Sequence, residues 1–396
     1  MRPIVVCGLG RFGLQVVETL RDCDCPVTVV SDERTRPERI EQVRAAGARF
    51  VHGDFRTAAV RREADVADAE AVVLTTSVDV DNLEAALEVR GEAPTVRVVM
   101  RHSEPRLSRR FEADFGIAAA LAPAELAAEA FVEAALAGPP AAAPARRGPF
   151  PWRPLRGEFV TIPLLLAALY ATAIVVFHEA LGLRWIDAAY FTTTVVTTVG
   201  FGDFNLQHAP DWAKLFGIVL MFSGVVLVAM LASLLTVFVV TGTADQLRNE
   251  WRARRLRDHV VVCGLGAVGT AVARDLQAHG ARVVVVDPQA DDELHRETNP
   301  RCPVIVGDAT RPVILRRAGI GRARALVACT SNDALNLEIG LTAQSVAESR
   351  PGAPLRLVLR CFDAELARRI HAVSANYTLL SEAKIAAAEF VRRARG

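Results

Sequence analysis

This chain carries almost no net charge. Its 46 Lys and Arg face 45 Asp and Glu across 396 residues, a formal balance of +1. No bulk attraction to nucleic acid or to an acidic partner follows from that. Paired CxxC units are also missing. Seven cysteines (Cys7, Cys23, Cys25, Cys263, Cys302, Cys329 and Cys361) are scattered, and Cys23-x-Cys25 supplies at most two ligands. A zinc ribbon is excluded, and the cysteines read as free thiols in a reducing compartment. The N-terminal Met1-Arg2-Pro3 enters a strand-like run at once. With no apolar h-region before a small-residue cleavage site, it is not a signal peptide. No Ser/Tyr/Lys or His/Asp pair stands near a strand end, so no catalytic residue is assigned.

What is present is concentrated in the middle. Val160 to Phe177 is an uncharged run just long enough to cross a bilayer with its flanks, and Leu215 to Val240 is a longer one. Neither has a helical polar face, which argues against a buried core helix. Trp185 to Thr197 is a half-length apolar segment suited to a re-entrant helix. Thr197-Thr198-Val199-Gly200-Phe201-Gly202-Asp203 follows it. Glycine takes positive φ without steric cost. Residues of alternating hand point successive carbonyls to one side. Four such segments around an axis would give rings of oxygens able to replace the water shell of a potassium ion. A Gly-rich turn in a soluble protein could carry the same residues, but the flanking membrane-length runs weigh against it.

Arginines cluster outside the two runs, at Arg146, Arg147, Arg153 and Arg156 before and Arg248, Arg252, Arg254, Arg255 and Arg257 after. Only Arg184 and Lys214 lie between. The positive-inside rule then places both termini in the cytoplasm and the Gly-rich loop outside. No regularly spaced arginines lie in either run, which excludes a voltage sensor of the usual kind. Gly224 lies midway along the second run and reads either as a hinge or as a close-packing position.

The flanking segments are copies of each other. Ile4–Cys7 leads into Gly8-Leu9-Gly10-Arg11-Phe12-Gly13, and Val260–Cys263 into Gly264-Leu265-Gly266-Ala267-Val268-Gly269. Each is a GxGxxG between a short apolar strand and a helix. A second strand then ends near an acid, Asp32 or Asp287. Glycines allow close approach to phosphate, the helix N-terminus favours the anion, and the carboxylate accepts from ribose hydroxyls. Asp54 matches Asp308 and Thr76 matches Thr330, all at strand ends where open α/β sheets bind ligands. The apolar helix with Leu126, Phe131 and Val132 matches the one with Ile385, Phe390 and Val391. The expected fold is therefore α/β plus membrane all-α: two doubly wound Rossmann-like domains flanking a two-helix pore unit.

Thr198 to Asp203 resembles the T-V-G-Y/F-G-D selectivity filter of potassium channels. Residues 1–138 and 258–396 resemble RCK (KTN, or Trk-type NAD-binding) domains. The chain as a whole is similar to prokaryotic two-span potassium channels with two RCK domains per subunit. One copy precedes the pore here, and neither is followed by the extra lobe many family members carry. The resemblance implies boundaries at 1–138, a linker at 139–157, a pore unit at 158–242, a helical linker at 243–257 and a second RCK domain at 258–396. It implies a homotetramer in the inner (plasma) membrane, surrounded by lipid and with cytoplasmic RCK domains. Potassium would be held by the carbonyls of Thr198, Val199, Gly200 and Phe201. The regulatory ligand would be NAD(H) or another adenine nucleotide; Asp32 and Asp287, which accept from a ribose and repel a 2′-phosphate, favour these over NADP(H). Arg34 lies close to Asp32 and weighs against that preference at the first site. The exposed acids Asp291, Asp292 and Glu293 leave a divalent cation open. Residues 241–257 read as a stiff helical lever that couples the C-terminal copy to the pore. An NAD-dependent membrane oxidoreductase and a regulatory transporter subunit are the other function classes. The first lacks a catalytic partner, and the second has no need of a filter.

Overall fold

A computed structural model describes residues 2–32, 35–138, 158–240, 243–289, 302–347, 354–373 and 376–396. Two compact units result. One comprises the regions before residue 146 and after residue 248, and the other lies between them.

In the first unit each copy folds around a six-stranded parallel sheet. The N-terminal copy contains β1 (Ile4–Cys7), α1 (Arg11–Asp22), β2 (Val27–Ser31), α2 (Pro37–Ala45), β3 (Arg49–His52), α3 (Ala58–Glu63), β4 (Ala71–Leu74) and α4 (Asp79–Glu92). It continues with β5 (Arg97–Arg101), α5 (Pro105–Phe115), β6 (Ala119–Leu121) and α6 (Pro123–Leu136). Its strand order is β3-β2-β1-β4-β5-β6. Strands covered on both faces are mostly apolar, and β1, β2 and β4 are buried along their whole length.

The C-terminal copy uses β7 (His259–Cys263), α11 (Ala267–Ala278), β8 (Val283–Asp287), β9 (Val304–Val306), β10 (Ala323–Ala328), β11 (Arg356–Arg360) and β12 (Tyr377–Leu380). Its order, β9-β8-β7-β10-β11-β12, has the same topology. The edge strands β6 and β12 are additions to the sequence reading. They pair with β5 and β11 through Val99↔Ala119 and Leu357↔Tyr377.

The two copies exchange their last helices. Helix α6 follows β6 in sequence, yet its Ala127, Ala128, Phe131 and Val132 are buried with Val260 and Val262 of β7 and Val272 and Leu276 of α11, in the other copy. The helix Glu382–Arg395, α15 here after α12 (Pro312–Arg317), α13 (Asp333–Ala347) and α14 (Ala364–Val373), makes the reciprocal move. Its Ala386, Ala387, Phe390 and Val391 are buried with Val6, Val16, Val17 and Leu20. The rings of Phe12 and Phe390 meet edge to face, with centroids 4.8 Å apart. Burial of each Phe contributes roughly 1.5–3 kcal/mol.

The second unit holds α7 (Glu158–Leu181), α8 (Trp185–Val196) and α9 (Asp211–Val240). Within them, Thr161–Leu181 and Asp211–Thr236 are long and apolar enough to span a bilayer. Most of this apolar surface is exposed within the unit, unlike that of a soluble core helix. Phe177 is the anchor that joins the three helices. It is fully buried, with Phe191 of α8 at 4.8 Å and Phe216 of α9 at 6.0 Å between ring centroids. A further helix, α10, runs from Thr243 to Arg255. The linker 139–157, residues 241–242, Arg34, and the acids Asp291, Asp292 and Glu293 lie outside the described residues.

Candidate functional site

Helix α8 ends at Val196, and its last turn sets the loop that follows. The Thr194 carbonyl accepts from the N–H groups of both Val199, at 2.9 Å, and Gly200, at 3.2 Å. Positive φ occurs at alternate residues: Thr198 (62°), Gly200 (53°) and Gly202 (83°). This is the alternation that the Gly-x-Gly spacing predicts. Thr198 is less expected from composition, because it is not glycine and holds a strained backbone angle. Asp203 Oδ1 accepts from the Phe204 N–H at 3.1 Å. Gly224 of α9 lies against Val196, at the end of α8. A Cβ there would sit 3.6 Å from the nearest atoms, an ordinary contact. Close packing alone therefore does not require glycine at 224.

In the N-terminal copy the GxGxxG opens a cleft of about 1080 Å³. Gly8, Gly10, Arg11, Phe12, Asp32, Asp54 and Thr76 line it. Gly13 does not. Its role is the approach of α1 to the turn, since a Cβ at Gly13 would lie 1.9 Å from the Gly8 carbonyl oxygen. Gly269 repeats this against Gly264 at 1.8 Å. Gly10 and Gly266 differ from these. A methyl group on either would meet nothing within 4 Å, so bare backbone faces open space. Ala267 and Val268 begin α11 as Arg11 and Phe12 begin α1.

The strand-end polar residues are held in place. Asp54 accepts from the Arg56 guanidinium at 2.8 Å, and that bond holds its carboxyl below the ordinary range. Asp308 accepts from the N–H and the hydroxyl of Thr310, at 2.9 and 2.8 Å. The Thr76 and Thr330 hydroxyls donate to Asn82 and Asn336, both at 2.7 Å. These asparagines are buried. Each donates onward to the end of the fifth strand of its sheet, to the carbonyl of Arg101 at 3.0 Å or Arg360 at 2.9 Å. They are functional supports that sequence reasoning missed, although the repeat offset that pairs Thr76 with Thr330 pairs them too.

One expectation needs correction. The sequence pattern matches Asp32 with Asp287, but the strand registers place Ser31 there instead. Gly8 N–H donates to Val30 and Gly264 N–H to Val286, each at 2.9 Å. Leu9 N–H then donates to Ser31 Oγ at 3.1 Å, whereas Leu265 N–H donates to Asp287 Oδ2 at 2.7 Å. Asp32 lies one residue beyond this place. An acid is near both strand ends, and a sequence alignment of one strand and its loop slips by one residue without penalty.

The C-terminal copy also completes the N-terminal cleft. Arg360, Phe362 and Glu382 reach its wall. Two guanidinium groups approach the face of the Phe362 ring, Arg11 at 4.9 Å and Arg360 at 4.5 Å from its centroid. Arg360 also pairs with Glu382. Burial holds the Arg101 guanidinium below its ordinary value, Glu382 and Asp79 oppose that, and Arg360 reinforces it. Among the described residues no cluster of His, Cys, Asp and Glu suited to a metal ion is found.

Comparison with known proteins follows the same division. Residues 4–123 and 260–381 each match the TrkA-N domain, and residues 164–241 match the ion channel family. The chain belongs to the TrkA-N domain family. It is a membrane protein, with two apolar spans that the ion channel match covers almost completely. Potassium channel protein 1 of Methanocaldococcus jannaschii is 30% identical over 199 residues, which cover 48% of this chain and 57% of that protein. The voltage-gated potassium channel Kch of Escherichia coli is 29% identical over 165 residues, 40% of this chain and 39% of Kch. The chain thus spans only part of the curated relatives it matches. Among solved structures, the GsuK channel bound to NAD superposes over 98% of this chain and 63% of its own, with TM-score 0.57 and 17% identity. At that identity the likeness shows the fold. The parallel-sheet fold of the two TrkA-N copies is therefore shared with GsuK.

Proposed function

We propose that the chain is one subunit of a potassium-selective channel whose opening is set by nucleotide binding to its two TrkA-N domains. The observation that carries this reading is the run of alternating positive φ at Thr198, Gly200 and Gly202 after a half-length helix between two spans. In this reading the carbonyls of Thr198, Val199, Gly200 and Phe201, with the Thr198 hydroxyl, face one axis and coordinate the ion. One strand supplies a quarter of a coordinating ring, so the working unit is a homotetramer. The names of the potassium channel relatives support the ion, and the GsuK structures titled as bound to NAD and to ADP support the ligand class. The positive flanks support a plasma-membrane protein with its TrkA-N domains in the cytoplasm.

Gly224 is the proposed hinge, because its packing against Val196 leaves room for a methyl group. Helix α10 supports a lever from the inner span to the C-terminal TrkA-N domain. The reading assigns no chemistry to the chain. Potassium flux into vesicles reconstituted with the purified protein, titrated with NAD(H) and ADP, tests it. No selective flux under any ligand would overturn the channel reading. Flux that ignores nucleotides would overturn the gating.

A further inference from the structure

The two TrkA-N copies differ at the place where a ribose hydroxyl would be read. Gly53 N–H donates to the Ser31 carbonyl at 3.0 Å, and Gly307 N–H to the Asp287 carbonyl at 3.1 Å, which fixes Ser31 and Asp287 as equivalents. The side chain at this place receives the N–H of the residue after the first glycine in both copies. In the C-terminal copy it is a carboxylate. In the N-terminal copy it is a hydroxyl, 2.6 Å from a second hydroxyl, Thr35 Oγ1.

A cation reaches the same residue, Leu9, from its carbonyl side. Arg39 Nη1 donates to the Leu9 carbonyl at 3.1 Å. Leu9 is thus gripped on its two polar atoms by Ser31 and by Arg39. Burial, with Arg36 and Arg11 nearby, holds the Arg39 guanidinium below its ordinary value, and Glu38 is the acid that opposes this. Ser31, Thr35 and Arg39 all line the cleft. A carboxylate accepts from a free ribose hydroxyl and repels a phosphate on it. Two hydroxyls and a guanidinium do the reverse, since each can donate to phosphate oxygens.

We propose that the N-terminal cleft takes an adenine nucleotide carrying a phosphate on its ribose 2′-oxygen, the NADP(H) class, while the C-terminal turn takes one whose 2′-hydroxyl is free. This reverses, for one of the two sites, the preference that Asp32 suggests in the sequence. It rests on the reading of both turns as nucleotide sites. The chain then senses two nucleotide pools at once.

Titration calorimetry of the full chain in detergent, with NADP+ and NAD+ as probes, tests this. Ser31→Asp copies the residue that the C-terminal copy carries in the same fold, so it keeps the strand end intact. Arg39→Gln removes the charge and keeps a donor for the Leu9 carbonyl. Both variants should weaken NADP+ by about tenfold or more, the size expected for charge-assisted bonds to phosphate. Ser31→Asp should strengthen NAD+ at the same site. NADP+ binding that neither variant changes would overturn the inference. If wild type binds NAD+ but not NADP+, this inference falls and the nucleotide reading stands. If it binds neither, both fall.

Discussion

Gly13 and the carbonyl of Gly8 approach so closely that a methyl group on Gly13 would lie 1.9 Å from the oxygen. The third glycine of the motif therefore sets the distance between α1 and β1, and not the contact with ligand. Gly13→Ala should destabilise the N-terminal copy by about 3 kcal/mol or more, the upper range for overpacking. Gly10→Ala should leave the melting temperature almost unchanged and still weaken nucleotide binding, because its methyl would enter the open cleft. Thermal melts paired with calorimetry separate the two.

Truncating Phe390 should weaken the N-terminal sheet, although the residue lies near the far end of the chain. Phe390 is fully buried against Val16, Val17 and Leu20. Phe390→Ala should cost about 3–5 kcal/mol. Hydrogen exchange should rise first in β1 and α1, with β7 and α11 less affected. Equal loss in both sheets would contradict the exchange of helices.

In the proposed filter, Gly200→Ala should abolish potassium selectivity. The position has open space around it, so the substitution acts through the backbone, where φ of 53° costs an alanine about 1–2 kcal/mol. The reversal potential in mixed potassium and sodium is the measurement. A variant that still prefers potassium normally would refute the assignment of this loop.

Asp287→Asn should weaken NAD(H) binding at the C-terminal turn by roughly tenfold, because the amide keeps the shape and loses the charge. Asp32→Asn should have the smaller effect, since Ser31 holds the equivalent place. Patch recordings with nucleotide applied to the cytoplasmic side add a functional reading. If Asp32→Asn removes the response while Asp287→Asn spares it, the lever through α10 is wrong.

Acid should destabilise the C-terminal copy through His259. Burial holds its imidazole down at about 4, with Arg322 and Arg282 adding to the shift and the bond to the Ala318 carbonyl opposing it. Nε2 lies 2.9 Å from that carbonyl oxygen. A base whose folded pKa is depressed is favoured neutral in the folded state. Its contribution is complete above about pH 6.5 and is lost as pH falls from there toward 4, roughly 3 kcal/mol in total. The equivalent residue of the other copy is Pro3, which does not titrate. Melts of wild type and His259→Gln between pH 7.5 and 4.5 should diverge only on the acid side.

Motifs whose chemistry sits in consecutive residues were legible in the sequence. The alternating positive φ at Thr198, Gly200 and Gly202, both GxGxxG turns and the two spans depend on spacing alone, and the fold class follows from them. The exchanged helices were not legible. Leu126, Phe131 and Val132 form the same apolar pattern as Ile385, Phe390 and Val391, so either helix fits either sheet. Asn82 and Asn336 were missed because a lone polar residue on a helix reads as surface until a strand end is known to face it. Arg360 and Phe362 belong to the N-terminal cleft only through tertiary contact, which no local pattern records. Ser31 was hidden by the acid beside it.

Helix α15 closes the core of a sheet made some 250 residues earlier. At roughly 5–20 residues per second, the N-terminal copy emerges from the ribosome about 10–50 s before its covering helix exists. During that interval the Val16, Val17 and Leu20 face stays uncovered, while both spans are threaded into the bilayer. Assembly of the two-sheet unit is therefore ordered in time. Membrane insertion comes before completion of the first domain, and a chain whose spans fail to insert offers chaperones and proteases an unfinished N-terminal sheet. The exchange of two helices thus makes the two-sheet unit a checkpoint on biogenesis of the membrane unit.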